Sequence, residues 1–537
     1  GILRISDFWS FDVIPYSIAI LDAIITMMFI SASRFSIRLF ERAAQRITPT
    51  NENGVRILIV GAGAAGVMVA TEIQKGTREN LIPVGFVDDD ISKHNLRIRG
   101  LSVLGPIEKL PELIIEHSIK KIIIAMPTAS GELMRKINQI CSQAVVQTQT
   151  LPGIYEILDG KININKLRNI HIEDLLRRET VKPDDIGITK LLENKTILIS
   201  GAGGSIGSEI VRQVLTSNPS KIILLGHGEN SIFEIEQELR DKLFREEISE
   251  NISSKILSVI ADIKDKTFLY RTFEKYKPEI IFHTAAHKHV PLMELNPFEA
   301  VNNNVWGTKN LIESSIKFGI KKFILVSSDK AVNPTNIMGA TKRIAELIML
   351  KAAKTNGTEY SAVRFGNVLG SRGSVVHTFQ KQINAGGPIT ITHPEIMRYF
   401  MTIPEAVQLV LQAFALSKGG EVFVLDMGLP IKIVDLAKDM IRLAGLKVGV
   451  DIEIKFTSLR PGEKLFEELF TAGEKYEKTE HNKILIAKNA SDYIPENLDT
   501  MIDELITFDH TVNTSDLFNK IRSIIPEFNH NSFLIHN

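Results

Sequence analysis

Apolar residues dominate Val13 to Ala32, a 20-residue stretch interrupted by Pro15 and by the charge of Asp22. At about 1.5 Å per residue a helix of that length spans roughly 30 Å, the thickness of a bilayer core. The pattern therefore predicts a transmembrane helix. Arg34, Arg38, Arg42 and Arg46 follow at four-residue intervals, which puts them on one face of a continuing helix and, by the positive-inside tendency, on the cytoplasmic side. A secretory signal would carry its charges before the apolar run. Residues 1–47 thus read as a membrane anchor, with the remainder of the chain inside the cell.

Beyond a polar linker the pattern changes to short β-type runs alternating with helical periodicity. Val55 to Val60 leads into Gly61-Ala62-Gly63-Ala64-Ala65-Gly66, and a second run, Pro83 to Val87, ends at Asp88, 22 residues after Gly66. Glycines between strand and helix, followed by an acid at about that distance, fit a dinucleotide fold. Gly61, Gly63, Gly66 and Asp88 are a possible second nucleotide site; the same glycines would equally serve tight strand–helix packing. With the run Lys121 to Ala125, this unit is expected over 48–187.

A second unit, 188–474, opens with Thr196 to Ser200 and the G-x-x-G-x-x-G of Gly201, Gly204 and Gly207, with Ser205 and Ile206 between them. That spacing lets backbone amides approach a pyrophosphate at a helix N-terminus. Strand-like runs recur at Lys221 to Leu225, Ile256 to Ala261, Ile280 to Thr284, Lys322 to Ser327 and Tyr360 to Phe365. The rhythm predicts an α/β chain with two Rossmann-like, doubly wound parallel-sheet units in tandem and a small α+β substrate cap. Residues 475–537 carry no readable motif.

Composition narrows the function. Lys plus Arg and Asp plus Glu both total 63, so no positive excess is available to neutralise a nucleic acid backbone. The single cysteine, Cys141, permits neither an internal disulfide nor a multi-thiolate metal site; burial is its expected fate. No metal is expected, and a homo-oligomer is.

Further motifs sharpen the picture: Ala285-Ala286-His287-Lys288-His289-Val290-Pro291, Asn304-Val305-Trp306-Gly307-Thr308, Ser327-Ser328-Asp329-Lys330-Ala331, Met338-Gly339-Ala340-Thr341-Lys342 and Arg364-Phe365-Gly366-Asn367-Val368. With the Gly201–Gly207 loop they resemble the extended short-chain dehydrogenase/reductase superfamily. More narrowly, they are similar to the large membrane-anchored UDP-N-acetylglucosamine 4,6-dehydratases of bacterial capsule, O-antigen and protein-glycosylation pathways. The resemblance implies an inner-membrane enzyme with cytoplasmic catalytic domains. It would oxidise C4 of UDP-N-acetylglucosamine with a bound nicotinamide cofactor, eliminate water across C5 and C6, and return the hydride to C6.

A C4 ketone acidifies the C5 proton, after which the C6 hydroxyl needs an acid and the C5 proton a base. By resemblance Ser328 bonds the C4 hydroxyl, Asp329 protonates the departing C6 hydroxyl and Lys330 takes the C5 proton. A lysine ordinarily titrates near 10.4, so Lys330 is expected to need desolvation or a positive neighbour such as Lys342. The usual Tyr-x-x-x-Lys stands here as Met338 and Lys342. A thioether accepts no proton in a phenolate's place, so the C4 proton must travel through Ser328 or water to Asp329. Taken alone, Met338 argues for a non-catalytic copy. The resemblance argues the reverse, because the membrane-bound branch carries Met there and retains configuration at C5.

Lys342 would still hold the nicotinamide ribose. NAD is the expected cofactor by resemblance, with NADP left open: after Leu225, either Glu229 reaches a ribose or His227 accepts a 2′-phosphate. Asp262 and Ile263 are expected at the adenine and Ala285 and Ala286 beside the cofactor. Lys288, Asn367, Arg372, Val375, Arg460 and Glu463 are expected at the UDP-sugar, Arg460 because a guanidinium binds two phosphate oxygens at once. Two rivals remain: a 4-epimerase of the same superfamily, which needs no elimination acid and base, and a membrane-tethered nucleotide-sensing scaffold.

Overall fold

A computed structural model describes residues 16–44, 54–75, 80–144, 146–151, 167–176, 185–245, 255–470, 474–488, 490 and 494–530. Its contacts divide the chain into a short N-terminal unit, 1–55 with 78–82, and a body, 56–77 with 83–537.

The expected N-terminal helix forms over Tyr16–Ala44, with Ile20, Met27 and Phe29 exposed. The expectation that it crosses a membrane is not supported: among the described residues no helix is long and apolar enough to do so. Its apolar run from Ile18 to Ile30 is broken by Asp22 and gives way to Ser31, Ser33 and Arg34, which makes it shorter than the roughly 20 residues a bilayer core takes. Val13 to Pro15 and Arg46 lie outside the described residues.

The body contains two sheets. The first has seven strands in the order Arg97–Ile98, Leu101–Val103, Leu81–Val87, Val55–Val60, Lys121–Ile124, Gln147–Thr150 and Arg168–Asn169. Val55–Val60, Lys121–Ile124 and Gln147–Thr150 run parallel. The βα rhythm explains this, since Val55–Val60 and Lys121–Ile124 are each followed by a crossover helix, Ala64–Gln74 and Gly131–Gln143. Cys141 is fully buried in this unit, and burial pushes its thiol up to about 11.

The second sheet has nine strands: Ile256–Ile260, Lys221–Gly226, Thr196–Ser200, Ile280–His283, Lys322–Val326, Glu359–Arg364, Val422–Leu425, Ile484–Ala487 and Tyr476–Lys478. The first seven are parallel; the last two are added antiparallel. Ile197 and Ile199 face one apolar layer with the helices Ser205–Leu215 and Ile403–Leu416, while Leu198 and Ile281 face another with Ile337–Asn356. Strands buried on both faces explain the unbroken Val/Ile/Leu runs of the sequence. The motif-free stretch after Glu474 supplies the antiparallel strands and the helices Leu498–Ile506 and Thr514–Ile524, whose Leu498, Ile502, Leu517 and Ile521 join the second layer.

Between the sheets lies the cap, with helices Val375–Asn384 and Ile433–Leu443. Its Phe379, Ile391 and Leu436 share one apolar cluster with Val60, Ile124 and Met134 of the first sheet unit. The chain order of the second sheet reverses beside Thr196–Ser200, and a cleft opens at the carboxyl ends there, where doubly wound sheets hold their ligands.

Candidate active site

The cleft has a volume of about 680 Å³. On one side stands the glycine loop: Gly204, Ser205, Ile206 and Gly207 line the cleft. Gly204 caps the helix Ser205–Leu215 with no side-chain hydrogen bond, so the first amides of the helix are left to a ligand. A Cβ on Gly207 would lie 2.2 Å from the Gly201 carbonyl oxygen, and Gly201 itself has φ +72°, so both positions require glycine. Ala286 lines the same wall, and Ala285 backs onto Gly201, its nitrogen 2.7 Å from where a Cβ would sit.

The opposite wall is built at the end of strand Lys322–Val326. Ser328 caps the short turn Asp329–Ala331, accepting from the Lys330 amide. Its hydroxyl donates to Asp329 Oδ1 at 3.0 Å, and Lys330 Nζ donates to the same oxygen at 3.0 Å and to Asn367 Oδ1 at 3.3 Å. Asp329 is buried, Oδ2 without a partner. Ser328, Lys330, Met338, Lys342 and Asn367 all line the cleft.

The two lysines reverse the expected electrostatics. Burial alone would push Lys330 down, but Asp329 and Glu467 outweigh it and raise the ammonium above its ordinary value. Lys342 is the lysine that burial depresses, to about 8 against the pull of Glu346; its Nζ donates to the Val326 carbonyl at 2.6 Å. Lys330 therefore rests as a cation.

Of the expected substrate contacts, Lys288, Arg372, Val375, Arg460 and Glu463 also line the cleft. Arg372 reaches across to the glycine loop, donating to the Gly203 carbonyl at 3.2 Å and pairing with Glu234 at 2.6 Å. Arg460 and Glu463 form one turn, the Arg460 amide donating to Glu463 Oε2 at 3.2 Å. Glu229, Asp262 and Ile263 lie away from these walls: Glu229 opens the helix Glu229–Arg245, Asp262 accepts from the Lys264 amide, and Ile263 is buried against Gly307.

In the first unit a Cβ on Gly66 would fall 1.9 Å from the Gly61 oxygen, and Gly61 has φ +103°. Gly63 has open space. Asp88 is committed to its own loop: Oδ2 accepts from the Ala62 amide at 2.7 Å and Oδ1 from the Asp90 amide at 2.9 Å.

Sequence reasoning missed the acids that organise this site. Glu346, fully buried on the helix that carries Met338 and Lys342, accepts from Ser327 Oγ at 2.6 Å, from Arg364 at 2.9 and 2.8 Å and from Arg343 at 3.0 Å. Glu467 lies 3.5 Å from Lys330 and 3.6 Å from Arg398. Among the described residues no group of His, Cys, Asp and Glu is arranged to hold a metal.

A family profile described as "Polysaccharide biosynthesis protein" matches residues 197–489, and one described as "CoA-binding domain" matches 19–152. The chain is 49% identical over 472 residues to the capsular polysaccharide biosynthesis protein CapD of Staphylococcus aureus, covering 87% of this chain and 77% of that protein. It is 32% identical to a UDP-N-acetylglucosamine 4,6-dehydratase (inverting) of Campylobacter jejuni, over 53% of this chain and 80% of that one. It is 34% identical to a UDP-glucose 4-epimerase of Rickettsia canadensis, over 52% and 78%. The crystal structure of Pen from Bacillus thuringiensis superposes with a TM-score of 0.50 at 36% identity, over 55% of this chain and 90% of that one.

Proposed function

The chain belongs to the polysaccharide biosynthesis protein family, and from that premise we propose that it is an NAD-dependent UDP-N-acetylglucosamine 4,6-dehydratase that retains configuration at C5. The observation that carries the reading is one hydroxyl, one carboxylate and one amine on Ser328, Asp329 and Lys330, joined at 3.0 Å at the edge of the cleft. A 4-epimerase moves only the hydrogens of C4 and its hydroxyl, and has no use for an acid and a base directed at C6 and C5.

The uncapped helix Ser205–Leu215 and its glycine loop fit the pyrophosphate of NAD. Bound NAD supplies a hydride acceptor for C4 and a hydride donor for C6. The protein's own groups handle the protons. Ser328 passes the C4 hydroxyl proton to Asp329, to which it is already bonded, and Asp329 delivers it to the C6 hydroxyl, which leaves as water. Lys330 takes the C5 proton and gives it back on the same face. Lys342, held by the Val326 carbonyl, would hold the nicotinamide ribose of NAD and supply a positive charge there. Arg460 and the start of helix Val375–Asn384 receive the UDP moiety.

In deuterated water the protein should convert UDP-N-acetylglucosamine into a UDP-linked 4-keto-6-deoxy sugar with no net accumulation of NADH, followed by NMR. Product with its C6 hydroxyl intact would remove the dehydratase reading. Met338→Ala should keep most of its activity, because the thioether packs in the core but moves no proton. Lys342→Ala should lose at least about tenfold more, since a positioned charge is removed from the reacting centre. Steady-state rates beside melting curves separate the two, and equal losses would contradict the assignment.

A further inference from the structure

Glu467 has no part in the roles above. It comes from the segment that closes the cleft, 137 residues after Lys330, and its side chain is 4% exposed. Oε1 stands 3.5 Å from Lys330 Nζ, and Oε2 is buried without a hydrogen-bond partner. Asp329 mirrors it, with Oδ1 3.0 Å from the same nitrogen and Oδ2 equally unpartnered. One ammonium is thus held between two carboxylates, each with a free oxygen. The other charges facing this group are Arg398, 3.6 Å from Glu467, and Glu463, 3.5 Å from Arg398; Asn367, at 3.3 Å from Lys330, is neutral.

An ammonium has no lone pair with which to take the C5 proton. Something must first remove the resting proton of Lys330, and the carboxylates of Asp329 and Glu467 are the acceptors beside it. We propose that Glu467 accepts this proton and so frees the Lys330 amine to act as the base at C5. The inference rests on the dehydratase reading. The sequence of events explains the timing: when Asp329 receives the C4 proton through Ser328 it loses its charge, and Glu467 becomes the nearest anion to Lys330. With both side chains largely buried, a neutral amine beside a neutral acid avoids the desolvation cost of an ion pair. The 3.5 Å separation is of the kind that tightens when substrate binds.

The proton count closes. Lys330 gives one proton to Glu467 and takes one from C5 as the C5–H bond breaks. Asp329 gives the former C4 proton to the C6 oxygen as the C6–O bond breaks. After hydride reaches C6, Lys330 returns its proton to C5, and Glu467 returns the stored one to Lys330. Glu467 acts through Lys330 and is a positioning residue in that sense.

Glu467→Gln keeps the shape but takes no proton. At neutral pH its kcat should fall at least about tenfold with KM within about threefold, and exchange of the C5 position with deuterated water should fall with kcat. With one anion gone the Lys330 pKa drops, so raising the pH should restore the variant's rate relative to wild type. Glu467→Asp keeps an acid and should lie between the two; it carries the test if the Gln variant does not fold. Glu468→Gln, exposed and paired with Lys464, should match wild type. If wild type releases no water from UDP-N-acetylglucosamine, the dehydratase reading fails and the proposal with it. If wild type dehydrates while Glu467→Gln exchanges C5 normally, or loses activity that no pH restores, the proposal alone is overturned.

Discussion

Asp329→Asn and Lys330→Ala are each expected to lower turnover by roughly 10²- to 10⁴-fold, the range for a lost general acid or base, while UDP-sugar binding largely survives. The two should fail at different stages. In Asp329→Asn the carboxamide oxygen can still accept the hydrogen bonds from Ser328 and Lys330 that Asp329 Oδ1 now accepts, but the amide neither stores the C4 proton nor releases one to C6. Oxidation at C4 should then be hindered as well as elimination. Lys330→Ala leaves Ser328 and Asp329 joined, so hydride transfer from C4 can proceed and stop there. Transient NADH absorbance, hidden in wild type by rapid return of the hydride, should become visible in rapid-mixing experiments. Lys330→Ala also leaves Asp329 and Glu467 facing one another without the cation between them, so melting must be measured in parallel. Near wild-type turnover in Lys330→Ala would end the assignment of the base.

The parts of this molecule that were legible in the sequence are those set by local pattern. Thr196–Ser200 and its six parallel neighbours are short apolar runs separated by helices, and five of those neighbours were marked by that rhythm. Val422–Leu425 was not, because it lies between the two cap helices in the chain and no motif introduces it. The Ser328-Asp329-Lys330 turn was legible because three chemical groups sit on consecutive residues. Its electrostatics were not. The shift on Lys330 sets burial against the neighbouring Asp329 and, from 137 residues further along the chain, Glu467, and that on Lys342 depends on how fully the helix Ile337–Asn356 is buried; of these only Asp329 is visible beside its lysine in the sequence. Arg372 shows the same limit: its motif suggested the sugar nucleotide, yet it also bridges to Gly203 and Glu234 on the opposite wall. The N-terminal helix forms within the segment where the apolar pattern placed it, but the expectation that Val13 to Ala32 crosses a membrane finds no support, since among the described residues no helix is long and apolar enough to do so.

Glu346→Gln should lower stability by a few kcal/mol and flatten its dependence on acid. Glu346 is fully buried beside the Ser328-Asp329-Lys330 turn, and two arginines surround it: Arg364, itself paired with Glu474 at 2.8 Å, and Arg343, paired with Glu527 at 3.2 Å. Burial alone would raise its pKa, but Arg364, Arg343 and the Ser327 hydroxyl bring it down to about 2. A carboxylate whose folded pKa lies below its unfolded value contributes stability above the unfolded pKa, near 4.3, and loses it as pH falls towards about 2; two pKa units correspond to about 3 kcal/mol. Removing the anion while leaving both guanidiniums buried costs about 3–5 kcal/mol by the general rule for broken buried pairs. The partners Glu474 and Glu527 should hold the loss to the lower end. Melting temperature against pH from about 7 to about 3 tests this: wild type should destabilise steeply below about pH 4.5 and Glu346→Gln less so. Because Glu346 also anchors Ser327, the residue before Ser328, the variant should lose turnover at temperatures where it is still folded. A Glu346→Gln protein as stable and as active as wild type would mean that the Ser328-Asp329-Lys330 turn is held by strand pairing alone.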